Sequence, residues 1–122
     1  MNAANLVLVA LGGAAGSVLR VLISGLAPAD ARLPWGTIAV NLAGSFVIGW
    51  LMGRFGGDTA ADERWRSLLV VGVCGGFTTF STFSWQTLAL FQKNQPAAAF
   101  ANVLLSVTLC LAATWLGWRL AR

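Results

Sequence analysis

The sequence predicts an all-α membrane protein with four transmembrane helices, the third of them broken. Three observations carry that reading. Of 122 residues, 57% are apolar and only 10% charged, whereas a soluble domain carries about 25% charge; mean hydropathy is +0.75. Four apolar stretches, near 4–26, 35–54, 66–92 and 97–120, meet the requirement of about 20 residues per span. Inside the third, Gly72-Val-Cys-Gly-Gly-Phe-Thr-Thr-Phe-Ser-Thr-Phe-Ser84 packs glycines, hydroxyls and phenylalanines too densely for a plain lipid-facing helix. The chain reads as one transmembrane domain, 1–122.

The first stretch, from Leu6 to Leu26, follows no basic segment and runs too long for a signal-peptide core, so it reads as a span. Its polar exception is Arg20, after Gly12-Gly13-Ala-Ala-Gly16-Ser17. Arg20 either snorkels to the interface or places positive charge where an anion enters. The join Ala27–Pro34 is short, and Pro34 stands where it opens the next helix.

In the second stretch Thr37, Asn41 and Ser45 are spaced by four and form one polar line. An Asn amide brings donors without net charge. Asn41 serves either as interhelical glue or as a donor to an ion. Gly12/Gly16, Gly49/Gly53 and Gly72/Gly76 are small-xxx-small pairs that let backbones approach, within a subunit or between subunits.

The third stretch is too long for one upright helix. It either tilts strongly or breaks, and Gly75-Gly76 followed by two threonines favours a break at the glycine pair. Carbonyls freed there need a partner such as a cation. Phe80 and Phe83, three apart, share a helical face, with Ser81, Thr82 and Ser84 around them. A phenyl ring is electropositive at its edge. An anion passing edgewise is therefore attracted without a full cation to trap it, while hydroxyls and amides replace part of its hydration.

The fourth stretch, opened by Pro96, carries Asn102, Ser106, Cys110 and Thr114, each four after the last. That is one helical stripe of polar groups, read as a track. Trp35, Trp65, Trp115 and Trp118 fall at span ends, as an aromatic belt does.

Net charge is +4, but the basic residues are scattered or at span ends, which excludes a nucleic-acid binder. Arg54, Arg64, Arg66, Arg119 and Arg122 face one side, against Arg20, Arg32 and Lys93 on the other. So small a bias lets the chain insert both ways and pair with an inverted copy. Cys74 and Cys110 lie in apolar segments and read as reduced. There is no histidine, and Asp30, Asp58, Asp62 and Glu63 all fall in expected loops. An enzyme and a proton-coupled small multidrug exporter, which needs an embedded carboxylate, are both disfavoured.

Three runs then carry a resemblance. Gly12-Gly-Ala-Ala-Gly-Ser-Val-Leu-Arg20, Gly36-Thr-Ile-Ala-Val-Asn-Leu-Ala-Gly-Ser-Phe46 and the run 72–84 closely resemble the Fluc (CrcB) family of small bacterial fluoride channels, over nearly the whole length. The resemblance implies an antiparallel, dual-topology homodimer in the bacterial inner membrane, with two fluoride pores and a structural Na+ at the dimer centre. It implies that Gly75 and Thr78 give backbone carbonyls to the sodium and that Phe80 and Phe83 line the pore. Asn41 becomes a pore donor; Ser106, Cys110 and Thr114 become the track; Arg20 sits near a vestibule. Thr37, Ser81 and Thr82 join them as pore donors. Two positions depart from the pattern: Gln86 stands where many relatives carry glutamate, and Cys110 where a hydroxyl is common.

Overall fold

A computed structural model describes residues 2–122, whose regular structure is all helical, with no strand among them. The elements are α1 (Ala3–Ser24), α2 (Trp35–Phe55), α3 (Ala60–Trp65), a π-helical stretch π1 (Arg66–Cys74), α4 (Gly75–Phe77), α5 (Phe80–Gln92) and α6 (Pro96–Leu120). Four runs are long and apolar enough to cross a membrane: α1, α2, the composite run Ala60–Gln92, and α6. The chain is a multi-pass membrane protein.

Local chemistry sets the helix ends. Asn2 caps α1, its side chain accepting from Asn5 N–H at 2.9 Å. Pro96 opens α6 at a position where its missing N–H costs nothing. Between α5 and α6 the chain reverses at Asn94, whose φ of 56° is left-handed, a conformation asparagine tolerates. Phe91 and Phe100 close that hairpin edge to face, ring centres 5.5 Å apart.

The third span begins earlier than the sequence reading places it. Ala60–Trp65 is helical, although 55–64 reads as a polar join. Thr59 and Asp62 form a capping box: Thr59 Oγ1 accepts from Asp62 N–H at 3.1 Å, and Asp62 Oδ2 accepts from Thr59 N–H at 3.3 Å. Two reciprocal bonds start the helix inside the polar segment. Asp62 and Glu63 are therefore helical residues, not loop residues. Arg66 donates to the carbonyls of Phe55 and Gly57 and so ties the end of α2 to this turn.

The break also falls elsewhere than the glycine pair. Gly75 is helical (φ −62°, ψ −40°). Thr78 (ψ 158°) and Thr79 (φ −152°, ψ 111°) are extended and separate α4 from α5. Gly76 serves contact rather than bending. Beside Gly76, a Cβ would lie 3.1 Å from the Gly13 Cα.

Packing pairs α1 with π1 and α4, and α2 with α6; α5 packs chiefly on α6. Both main seams are lined with glycine. At Gly12 a Cβ would lie 2.9 Å from the Val73 nitrogen, and at Gly49 2.9 Å from the Thr114 carbonyl carbon. Lipid gives no hydrophobic drive between helices, so such close backbone contact is what holds them. The outer surface is apolar, while Asn5, Thr37, Ser67, Asn102 and Ser106 are buried. Polar groups face inward, as hydrocarbon surroundings demand.

Candidate ion pathway

The extended pair Thr78–Thr79 leaves helix ends facing one another. On one side stand the last carbonyls of α4, on the other the first N–H groups of α5, so partial negative and partial positive charge meet across the break. Thr79 Oγ1 caps α5, accepting from Thr82 N–H at 3.2 Å and donating to Thr82 Oγ1 at 3.0 Å. Ser81 Oγ lies 3.4 Å from the same oxygen.

Asn41, on α2, reaches this break. Its Oδ1 accepts from Thr79 N–H at 2.8 Å and its Nδ2 donates to the Thr79 carbonyl at 3.2 Å. The amide substitutes for the partners a neighbouring strand would offer, and one Nδ2 hydrogen remains for a further acceptor. The Thr78 hydroxyl is turned away, donating to the Cys74 carbonyl at 2.9 Å. Among the described residues, the carbonyls of Gly75 and Thr78 accept no hydrogen bond.

Beside the break lies a cavity of about 410 Å³, with Asn41, Ser45, Thr78, Phe80, Phe83, Ser106 and Cys110 among its lining residues and none that is charged. Phe80 is 77% exposed and Phe83 9%. Their rings lie 5.4 Å apart and are inclined by 44°. One ring thus belongs to the core and its neighbour points out of the protomer. Asn41, Thr78, both phenylalanines, Ser106 and Cys110 are brought together here.

Thr37 and Thr82 line a second cavity of about 680 Å³, together with Arg32, Gln86 and Lys93. That cavity opens at the basic end formed by the α1–α2 and α5–α6 connections. The Gln86 Oε1 is buried without a hydrogen-bond partner. Arg20 lines neither cavity; its Nε is buried and unpartnered, and its carbonyl accepts from Ser24 Oγ at 2.6 Å. Thr114 also stands apart, donating to the Cys110 carbonyl at 2.9 Å. Gly75 lies outside both cavities on an exposed face, where a Cβ would come no nearer to any neighbour than 3.9 Å.

Three features are absent from the sequence reading of the site. Thr79, the cap of α5 and partner of Asn41, is one; the signal was its place just before Phe80. The link from Asn102 Nδ2 to Thr87 Oγ1, at 2.9 Å, is another. Thr87 follows Thr79 and Phe83 at steps of four, which was visible. The third joins Asn5 Nδ2 to Glu63 Oε1 at 2.6 Å, across 58 residues, and no local pattern announces it.

Comparison with known proteins accords with this architecture. Residues 7–118 match the family described as CrcB-like protein, Camphor Resistance (CrcB). A protein of Rhodospirillum rubrum named fluoride-specific ion channel FluC is 50% identical over 117 residues, covering 89% of this chain and 88% of its own. A protein of the same name from Geobacter sulfurreducens is 45% identical, covering 93% and 94%. Another from Pyrococcus abyssi is 38% identical, covering 100% and 99%. These relatives are named as channels rather than as enzymes. With a break, two phenylalanines and uncharged donors gathered on one membrane helix bundle, and with relatives alike over most of its length, the chain belongs to the CrcB-like family.

Proposed function

We propose that this protein is a passive, fluoride-selective channel that lowers cytoplasmic fluoride. The carrying observation is the uncharged cavity beside the break, where an amide, hydroxyls and two aromatic rings converge. Fluoride is small and strongly hydrated, so it needs donors to replace its water. A lysine in the same place would hold it too tightly to let it leave. Phe80 and Phe83 offer ring edges, Asn41 its remaining amide hydrogen, and Ser106 and Cys110 a track along α6 that Thr114, outside this cavity, would continue. Thr82 and Thr37 lead from the basic mouth, Ser81 stands beside Thr79 at the head of α5, and Arg20, outside both cavities, would supply positive charge near a vestibule. Neutral HF enters a cell from an acidic exterior, dissociates, and its trapped anion leaves down its own gradient.

The working unit of this proposal is an antiparallel homodimer of oppositely inserted copies in the bacterial inner membrane. A ring as exposed as Phe80 at membrane depth, beside polar groups, supports a partner on that face. A structural Na+ fits the same face. The carbonyls of Gly75 and Thr78 lack partners within the protomer, and uncharged backbone oxygens at an unwound helix suit sodium. The Gly75 and Thr78 carbonyls would hold such an ion, which would supply positive charge to offset their dipoles.

The deciding experiment is fluoride against chloride efflux from liposomes containing the purified protein. Rapid fluoride loss with little chloride loss is expected; equal leakage of both, or of neither, refutes the reading. Labelling of a cysteine substituted for Lys93 checks insertion, with about half the copies expected to react from each side of intact cells. Reaction from one side alone refutes dual topology.

A further inference from the structure

The break at Thr78–Thr79 deprives α5 of helical hydrogen bonds to the segment before it, so its position rests on side chains from other helices. Two asparagines hold it. Asn41 of α2 binds the backbone of Thr79, at the head of α5. Asn102 of α6 donates to Thr87 Oγ1 at 2.9 Å, and Thr87 donates in turn to the Phe83 carbonyl at 2.8 Å. Phe80 and Phe83 lie on the stretch between these two points, which are eight residues apart, or about 12 Å along a helix.

Asn102 is itself fixed. It is fully buried at 0% exposure, and its Oδ1 faces Ser106 Oγ at 3.4 Å. One amide therefore touches a helix carrying a ring and a hydroxyl of the candidate track. We propose that Asn102 is a positioning residue for the pore, holding Phe83 in register through Thr87 and setting the direction of the Ser106 hydroxyl. It does so without meeting the ion: it lies outside the cavity that Phe83 and Ser106 line. The proposal rests on the channel reading for its flux measurements, but not for its structural one.

The test compares Asn102→Leu, Thr87→Val and their double variant with the parent protein in liposomes, and Thr87→Ser as the conservative control. A lost hydrogen bond is worth about 1 kcal/mol, or roughly fivefold to tenfold in rate when felt at the pore. Each apolar single variant is expected to lose about that much fluoride flux and to discriminate less against chloride. Thr87→Ser, which keeps both bonds, is expected to stay within about twofold of the parent. Because the two residues act in series, the double variant should lose no more than the worse single. Losses that multiply, or a chloride ratio unchanged in every variant, overturn the proposal.

Hydrogen exchange gives a readout independent of conduction. Amides of α5 should exchange faster in Asn102→Leu and in Thr87→Val, with α1 unchanged. Unaltered exchange in α5 overturns the proposal even if fluoride flux falls. Faster exchange in a protein that conducts no fluoride leaves the clamp standing and removes the channel reading instead. If Asn102→Leu does not fold, the contrast between Thr87→Val and Thr87→Ser decides, and identical behaviour of those two counts against it.

Discussion

Asn41 and Thr79 are joined twice, amide to peptide, at 2.8 and 3.2 Å. A side chain of α2 thereby pairs both peptide groups of Thr79, which the broken third span leaves without helical partners. Unpaired peptide groups in an apolar interior cost about 1–3 kcal/mol each, so Asn41 stabilises the break by that pairing.

Substituting Asn41→Asp puts a carboxylate oxygen against the Thr79 carbonyl and a negative charge beside the anion's path. Fluoride flux should fall at least a hundredfold, about 2.7 kcal/mol at the barrier. Asn41→Leu should also lower thermal stability in detergent, by about 2 kcal/mol. Parent-like flux in Asn41→Asp would reduce Asn41 to a structural tether.

The two phenylalanines should separate by burial. Phe83→Ile removes a ring from the protomer core and should cost about 1–2 kcal/mol as well as flux. Phe80→Ile alters a side chain 77% exposed in the protomer, so any loss of stability it causes is expected at the proposed dimer face and not in the packing of the protomer. Both should abolish fluoride efflux in protein that still runs as a dimer on a sizing column. Normal efflux in either variant removes that ring from the pathway.

The sodium assignment predicts a dependence on the ion but not on the threonine hydroxyl. Replacing Na+ with a bulky organic cation should stop flux. Thr78→Ala should conduct and keep its sodium requirement, because the hydroxyl is spent on the Cys74 carbonyl at 2.9 Å and the proposed ligand is the backbone oxygen. Flux indifferent to sodium in the parent protein sinks the cation site.

A glycine contrast tests which seams lie within the protomer. Gly49→Ala drives a methyl group into the Thr114 carbonyl, and such overpacking typically costs about 1–3 kcal/mol. Gly13→Ala meets nothing within 4 Å and should leave the fold of the protomer unchanged. Equal destabilisation by both, measured by thermal unfolding, would contradict the packing described.

Much of this was legible in advance because hydrocarbon surroundings simplify the grammar. The four runs, the Thr37–Asn41–Ser45 line and the Asn102–Thr114 stripe follow from period and polarity alone. The break was legible as a need and misplaced by three residues. Gly75-Gly76 promises flexibility, but in the fold Gly75 stays helical and the missing side chain of Gly76 makes room for α1. The extended pair falls instead on Thr78–Thr79, where Asn41 can satisfy it. The start of the third span was misread for a related reason: one capping box outweighs the polar composition of 56–64.

The sequence by itself determined that this is a four-span membrane protein of the CrcB-like kind, since the cost of polar groups in lipid forces every deviation from apolarity to have a purpose. Tertiary structure alone decided which helices meet and what each polar group spends its bonds on. It turned the three glycine pairs inward to seams of the protomer, gave Asn41 to Thr79 and Asn102 to Thr87, and left Phe80 facing out. A hydrogen bond across 38 residues, or a seam so close that a Cβ at Gly12 would lie 2.9 Å from the Val73 nitrogen, depends on where distant segments arrive, and no local pattern encodes that.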